Sequence, residues 1–179
     1  MVVRRAVALL MSLILTLSAS SCGKDSSRQP AGEPEKKQER KVYKIIEPEK
    51  VLTLENVSAI VAYTPVLEKS KSGKAVTALY RSEPVGQGDV VQIDVYQPGA
   101  RVAEEEVRKL FDEEKEKRPK AEDVADLDVE AFIAIPSIHL MKSGYYVKIT
   151  AGSGSGDEQK ALLKNAAQTA LANLDGLLK

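Results

Sequence analysis

The chain has 179 residues, with 26 Lys and Arg against 26 Asp and Glu and a formal net charge of zero. That balance excludes the basic footprint of a nucleic-acid-binding protein, so no nucleic acid is expected as a partner. Hydrophobic residues make up 43%, enough for one core, and the length allows one domain with appendages rather than two domains. A single Cys and a single His leave no intrachain disulfide and no zinc cluster of the usual Cys/His kind.

Arg4 and Arg5 precede an almost unbroken apolar run over residues 6–17, and residues 18–21 are small and end at Cys22. That order is the order of a secretory signal peptide over residues 1–21. About a dozen strongly apolar residues fall short of the roughly 20 needed to span a bilayer. The stretch Leu17-Ser18-Ala19-Ser20-Ser21-Cys22 resembles the lipobox of bacterial lipoprotein precursors, with Ala19 where that family most often has Leu. The resemblance implies a diacylglyceryl group on the Cys22 sulfur, cleavage before Cys22 and, in many bacteria, acylation of the new amine. It also implies export and attachment to the outer face of the cytoplasmic membrane. Gly23, in place of the Asp that favours retention there, leaves the outer membrane open in a host that has two membranes. Cleavage removes Arg4, Arg5 and no acid, leaving 24 basic against 26 acidic residues and a formal charge of −2. Attachment then rests on acyl chains, and two or three of them hold stably where one is marginal.

Residues 23–41 have no aliphatic side chain larger than Ala, so ordering them has no apolar gain to set against its entropy. With Cys22 they read as a lipidated tether (residues 22–41), which as a coil of about 20 residues spans roughly 25 Å. Apolar density rises at Val42, and residues 42–179 read as one globular domain.

Within it, residues 43–46 suit an added edge strand. Thr53 can cap a short helix carrying Val57, Ile60 and Val61, closed by Pro65, and residues 69–74 read as a loop. A first hairpin pairs Ser82 with Asp89, so that Tyr80 faces Val91, Ala78 faces Ile93 and Val76 faces Val95. A one-residue slip would invert its apolar face. Ala103, Val107, Leu110 and Phe111 recur at helical spacing, with Glu104, Glu105 and Glu106 in the first turn, Lys115, Lys117 and Arg118 in the last, and Pro119 as the stop. Residues 129–135 are β-rich, ended by Pro136. A second hairpin turns at Ser143-Gly144 and pairs Lys142 with Tyr145, Leu140 with Val147 and Ile138 with Ile149. The last helix starts near Ser155, where Ser155 and Glu158 match a capping box, and shows the stripe Leu163, Ala167, Ala170, Leu174 and Leu177.

The order helix, hairpin, helix, strand and hairpin, helix predicts an α+β fold with a twofold helix-plus-hairpin repeat. The sheet is mostly antiparallel with helices packed on one face, a two-layer sandwich. Its other face would carry Leu79, Tyr96, His139, Met141 and Tyr146. Tyr96, His139, Met141 and Tyr146 are the candidate binding face, because apolar and aromatic groups on a wet surface mark recognition.

Other motifs carry less chemistry. The Gly152 to Gly156 loop lacks the Lys-Ser/Thr ending of a P-loop, and Asp157 would repel an anion. Glu122, Asp123, Asp126, Asp128 and Glu130 lack the Gly of an EF-hand and read as a solvated acidic loop. His139 has no spacing that identifies a catalytic partner. No cofactor, metal site or catalytic set is called for. The pattern, ending in Lys-Ser-Gly-Tyr-Tyr and an Ala-rich helix, is loosely similar to small bacterial lipoprotein domains of uncharacterised role. The reading is a lipid-anchored, non-enzymatic envelope protein that binds a protein, an envelope polymer or a small ligand. The rival is a surface hydrolase or transferase using carboxylates.

Overall fold

Two antiparallel meanders join edge to edge to make one sheet. The computed structural model describes residues 41–61, 63–72, 74–82, 90–99 and 102–179, which belong to one compact unit. The expected signal peptide, Cys22, the expected tether as far as Arg40 and Asp89 of the expected first-hairpin pairing lie outside these residues.

The first meander is β1 (Pro65–Ser72), β2 (Ala75–Ser82) and β3 (Val91–Tyr96); the second is β4 (Glu122–Asp123), β5 (Glu130–Ala134), β6 (Ser137–Lys142) and β7 (Tyr145–Ala151). They form a seven-stranded antiparallel sheet in the order β1-β2-β3-β7-β6-β5-β4. Both hairpin registers agree with the expected ones: Tyr80 faces Val91, Ala78 faces Ile93 and Val76 faces Val95, while Ile138 faces Ile149, Leu140 faces Val147 and Lys142 faces Tyr145. The turn between β6 and β7 places Ser143 at φ 51° and Gly144 at φ 86°, the pair of left-handed residues a primed turn requires.

Residues 69–72, expected as loop, extend the edge strand β1. Their Lys and Ser composition is that of a strand with one edge in water, where β propensity has little packing to express. Residues 43–46, expected as a strand, are extended but join no ladder. Side chains hold them instead: Tyr145 Oη donates to the Lys44 carbonyl at 2.8 Å, and Gln97 accepts from the Ile46 amide at 2.7 Å.

Helix α1 (Pro48–Val51) and helix α2 (Leu54–Ile60) follow this segment. Thr53 and Asn56 close a reciprocal capping box at the start of α2. The long helix α4 (Gly156–Leu178) buries Leu163, Ala166, Ala167, Ala170, Leu171 and Leu174. They meet Val51, Leu52 and Val57 and the sheet residues Ala78, Tyr80, Val91, Ile93, Val95, Ile138, Leu140, Val147 and Ile149 in the main core. Ser155 is the residue before α4, but its side chain makes no capping bond. The Gln159 side chain turns back to the Ala151 carbonyl instead.

Helix α3 (Glu104–Glu116) corrects the two-layer expectation. Val107 and Phe111 pack with Phe132, Ala134 and Tyr146 in a second core on the opposite sheet face, so helices cover both faces of the second meander. The halves also differ in strand number, three against four, so the expected repeat is approximate.

Gly144 offers a test of the β6–β7 turn. A methyl group there would lie 2.9 Å from Glu104 Cδ, and the backbone is left-handed. Gly144→Ala should lower stability by about 1–2 kcal/mol, read as a reduced urea midpoint with an unchanged slope.

Candidate functional site

Strand parity sends Tyr96 of β3, Tyr146 of β7, His139 and Met141 of β6 and Phe132 of β5 to one face. Their rings form a row across four neighbouring strands. Tyr96 stacks on Tyr146 at 4.6 Å between centroids, Tyr146 lies 5.9 Å from His139, and His139 stacks on Phe132 at 4.2 Å. Phe111 of α3 meets Phe132 and Tyr146 edge-on at 5.1 and 5.5 Å.

This arrangement overturns the expected open binding face. Tyr146 and His139 are sealed at 1% and 0% exposure; Tyr96 and Met141 are half-buried at the border of the α3 core. The cause is α3, whose Val107 and Phe111 stripe fits this side of the sheet. A β3-to-β4 connection can cross either face, and helical periodicity does not say which. One signal was present: Ala131, Phe132, Ile133 and Ala134 are apolar at both parities, as in a strand covered on both faces.

The chemistry inside is that of a buried core with one polar contact. His139 Nδ1 and Tyr146 Oη lie 2.7 Å apart. Burial, then the charges of Lys148 and Arg118, lower the His139 pKa to about 3. Burial pushes the Tyr146 phenol well above its usual range. Both groups are therefore neutral near pH 7, and His139 is no general base there. Its Nε2 is buried without a hydrogen-bond partner among the described residues.

Four of the five acids of the acidic segment are in ion pairs. Glu122 meets Lys160 at 2.6 Å, Asp123 meets Lys115 at 2.5 Å, Asp126 meets Lys164 at 2.9 Å and Glu130 meets Arg108 at 2.6 Å. Lys164 holds the Asp126 carboxyl below its usual range. Among the described residues no group of three or more His, Cys, Asp or Glu side chains is placed to hold a metal. Glu104 is also lowered, first by the Tyr43 hydroxyl and then by Lys41. Burial pushes Glu49 up, but the Lys69 ammonium and a backbone bond outweigh it and the net shift is downward. A general acid needs the opposite shift.

Among the described residues, concave surfaces flank both ends of α3. One lies between α3 and the β6–β7 turn, lined by Glu104, Arg108, Asp112, Met141 and Gly144. The other, of about 450 Å³, lies at the far end of α3, with Ile133, Ala134 and Ile135 as an apolar floor and Lys117, Arg118, Lys120, Lys160 and the carboxylate of Glu122 around it. Three of these cations have carboxylate partners at 2.6 to 3.5 Å, and Arg118 Nε is buried with no hydrogen bond among the described residues. Sequence reasoning missed this pocket, because Lys117 and Arg118 already suit a helix C-terminus and Lys160 lies 42 residues after Arg118. No protein-family model, curated protein or solved structure matches the chain.

His139 gives the domain a pH signature. The unfolded imidazole titrates near 6.5 and the folded one near 3, so between these values the unfolded state binds the extra proton. Stability should then fall as pH drops through that window, by up to about 1.4 kcal/mol per unit. The double variant His139→Phe/Tyr146→Phe removes both partners. It should show a shallower loss than wild type between pH 6 and 4 in denaturant titrations, while contributions from the carboxylates cancel in the comparison.

Proposed function

We propose that the protein is a lipid-anchored envelope lipoprotein with a non-enzymatic binding or accessory role. The observation that carries this is the N-terminal order of charged, apolar and small residues ending at Cys22. None of the described helices is long and apolar enough to cross a membrane; attachment in this reading comes from acyl chains on Cys22, two or three of which give a stable hold.

Binding is favoured over the hydrolase or transferase reading by the state of the titratable groups. The one His is neutral and sealed, and each carboxylate with a displaced pKa is lowered by cationic or hydroxyl partners. These groups are arranged to hold structure rather than to pass protons. The surface that best suits a ligand is the pocket floored by Ile133, Ala134 and Ile135, where an anionic group with an apolar part would meet both kinds of lining. It replaces the face of Tyr96, His139, Met141 and Tyr146.

Cys22→Ser tests the anchor. Expressed in a bacterial host fed a labelled fatty acid, wild type should carry label and partition with membranes. The variant should carry none and accumulate as the uncleaved precursor. Label on the Cys22→Ser protein would overturn the reading.

A further inference from the structure

Residues 41–46, where the chain enters the domain, carry the two most exposed large apolar side chains among the described residues. Val42 is 93% and Ile45 87% exposed, against 46% for the next, Leu54. These side chains belong to a segment that is fastened at three neighbouring positions. The Tyr43 hydroxyl bonds Glu104 and its ring meets Tyr145 edge-on at 6.3 Å. The Lys44 carbonyl accepts from Tyr145, and Ile46 bonds Gln97 through both its amide and its carbonyl while its side chain enters the core. With 43, 44 and 46 fixed inward, Val42 and Ile45 are held outward.

Two cations flank them. Lys41 pairs with Glu104 at 3.0 Å, and Lys44 reaches the Leu177 carbonyl at the end of α4 at 3.2 Å. Outward aliphatic groups beside exposed Lys side chains, whose surface bonds can be exchanged for phosphate, match a bilayer interface, where apolar atoms enter the headgroup boundary and Lys stems reach phosphate. The chain between Cys22 and Lys41 is 18 residues, and a tether of that length sets an effective concentration on the order of millimolar. A contact of two side chains, weak for a free protein, is then populated.

We infer that the segment 41–46 is a bilayer contact, with Val42 and Ile45 seated among the headgroups of an anionic membrane and Lys41 and Lys44 beside its phosphates. The inference rests on the reading of Cys22 as the lipid anchor. It turns the end of the sheet that carries the Ser143-Gly144 turn toward the membrane. The Ile135 pocket, at the other end of β6, is turned away from it.

The chain has no Trp, so a single introduced indole reports alone. Ile45→Trp and Val90→Trp proteins, the latter probing a residue 40% exposed at the opposite end of the sheet, are purified from bacterial membranes and reconstituted in vesicles of phosphatidylethanolamine and phosphatidylglycerol. Ile45→Trp emission should shift to the blue and fall roughly twofold when the lipids carry brominated chains, with Val90→Trp unchanged. Equal quenching at both positions, or none in protein that floats with the vesicles, overturns the contact and leaves the anchor standing. A blue shift that needs no lipid and grows with protein concentration assigns Val42 and Ile45 to a second copy and overturns it as well. Protein that does not float overturns the anchor and the inference together.

Discussion

The pairing of β3 with β7 is the constraint on which the rest of the domain depends. It joins strands more than 50 residues apart in register, from Val91 opposite Ala151 to Tyr96 opposite Tyr146, and makes one sheet of two meanders. Neither meander alone could bury both of its faces. At this seam Val91, Ile93 and Val95 point to the core under α4, while Tyr96 and Tyr146 point to the core bordered by α3. Slipping the seam by one residue would turn the first meander's apolar face away from α4 and break the stack of Tyr96 on Tyr146. Because these contacts are non-local, their loop-closure entropy precedes their reward, and formation of the seam is the natural slow step of folding.

The hairpins were legible because strand parity is binary. Val76, Ala78 and Tyr80 have only one pairing with Val91, Ile93 and Val95 that leaves an apolar face, and the observed register is that one. Helix existence was legible for the same kind of reason: Val107 and Phe111, or Leu163, Ala167, Ala170 and Leu174, repeat at a helical period. Placement was not legible. The same stripe on α3 satisfies either sheet face, and what decides is volume: Phe132 and Tyr146 need a lid as large as Phe111. The edge strand β1 was hidden for the opposite reason. Lys69, Ser70 and Lys71 face water, so nothing apolar records their pairing with β2. The candidate site suffered most, since a Tyr or His on a strand looks alike whether it awaits a ligand or a helix.

Polar order in this protein is built from short-range pairs that cross element boundaries. Lys160 and Lys164 of α4 reach Glu122 and Asp126, Arg108 of α3 reaches Glu130, and Lys142 of β6 reaches Asp175 of α4 at 2.5 Å. Exposed pairs of this kind contribute about 0.2–1 kcal/mol each and are screened by salt. Their larger effect is on specificity: they select one helix rotation over others that would bury the same aliphatic area. One buried exception is Asp94, to which the Thr77 and Gln92 side chains both donate.

The two outer strands of the sheet differ in what they offer a neighbouring molecule. β4 is two residues long, both acidic, and too short to template another strand. β1 is eight residues long, long enough to recruit a partner, yet it opens with Pro65, which donates no hydrogen bond, and alternates Glu68, Lys69 and Lys71 along its exposed length. Two copies approaching β1 to β1 in parallel register would bring Lys69 against Lys69 and Lys71 against Lys71, a barrier to sheet extension in that arrangement. That barrier matters most where chains are crowded in two dimensions, because there encounters are frequent and orientation is restricted. A Lys69→Val/Lys71→Val edge would keep the fold's interior intact and lose this protection, turning the sheet's open edge into a template for intermolecular pairing.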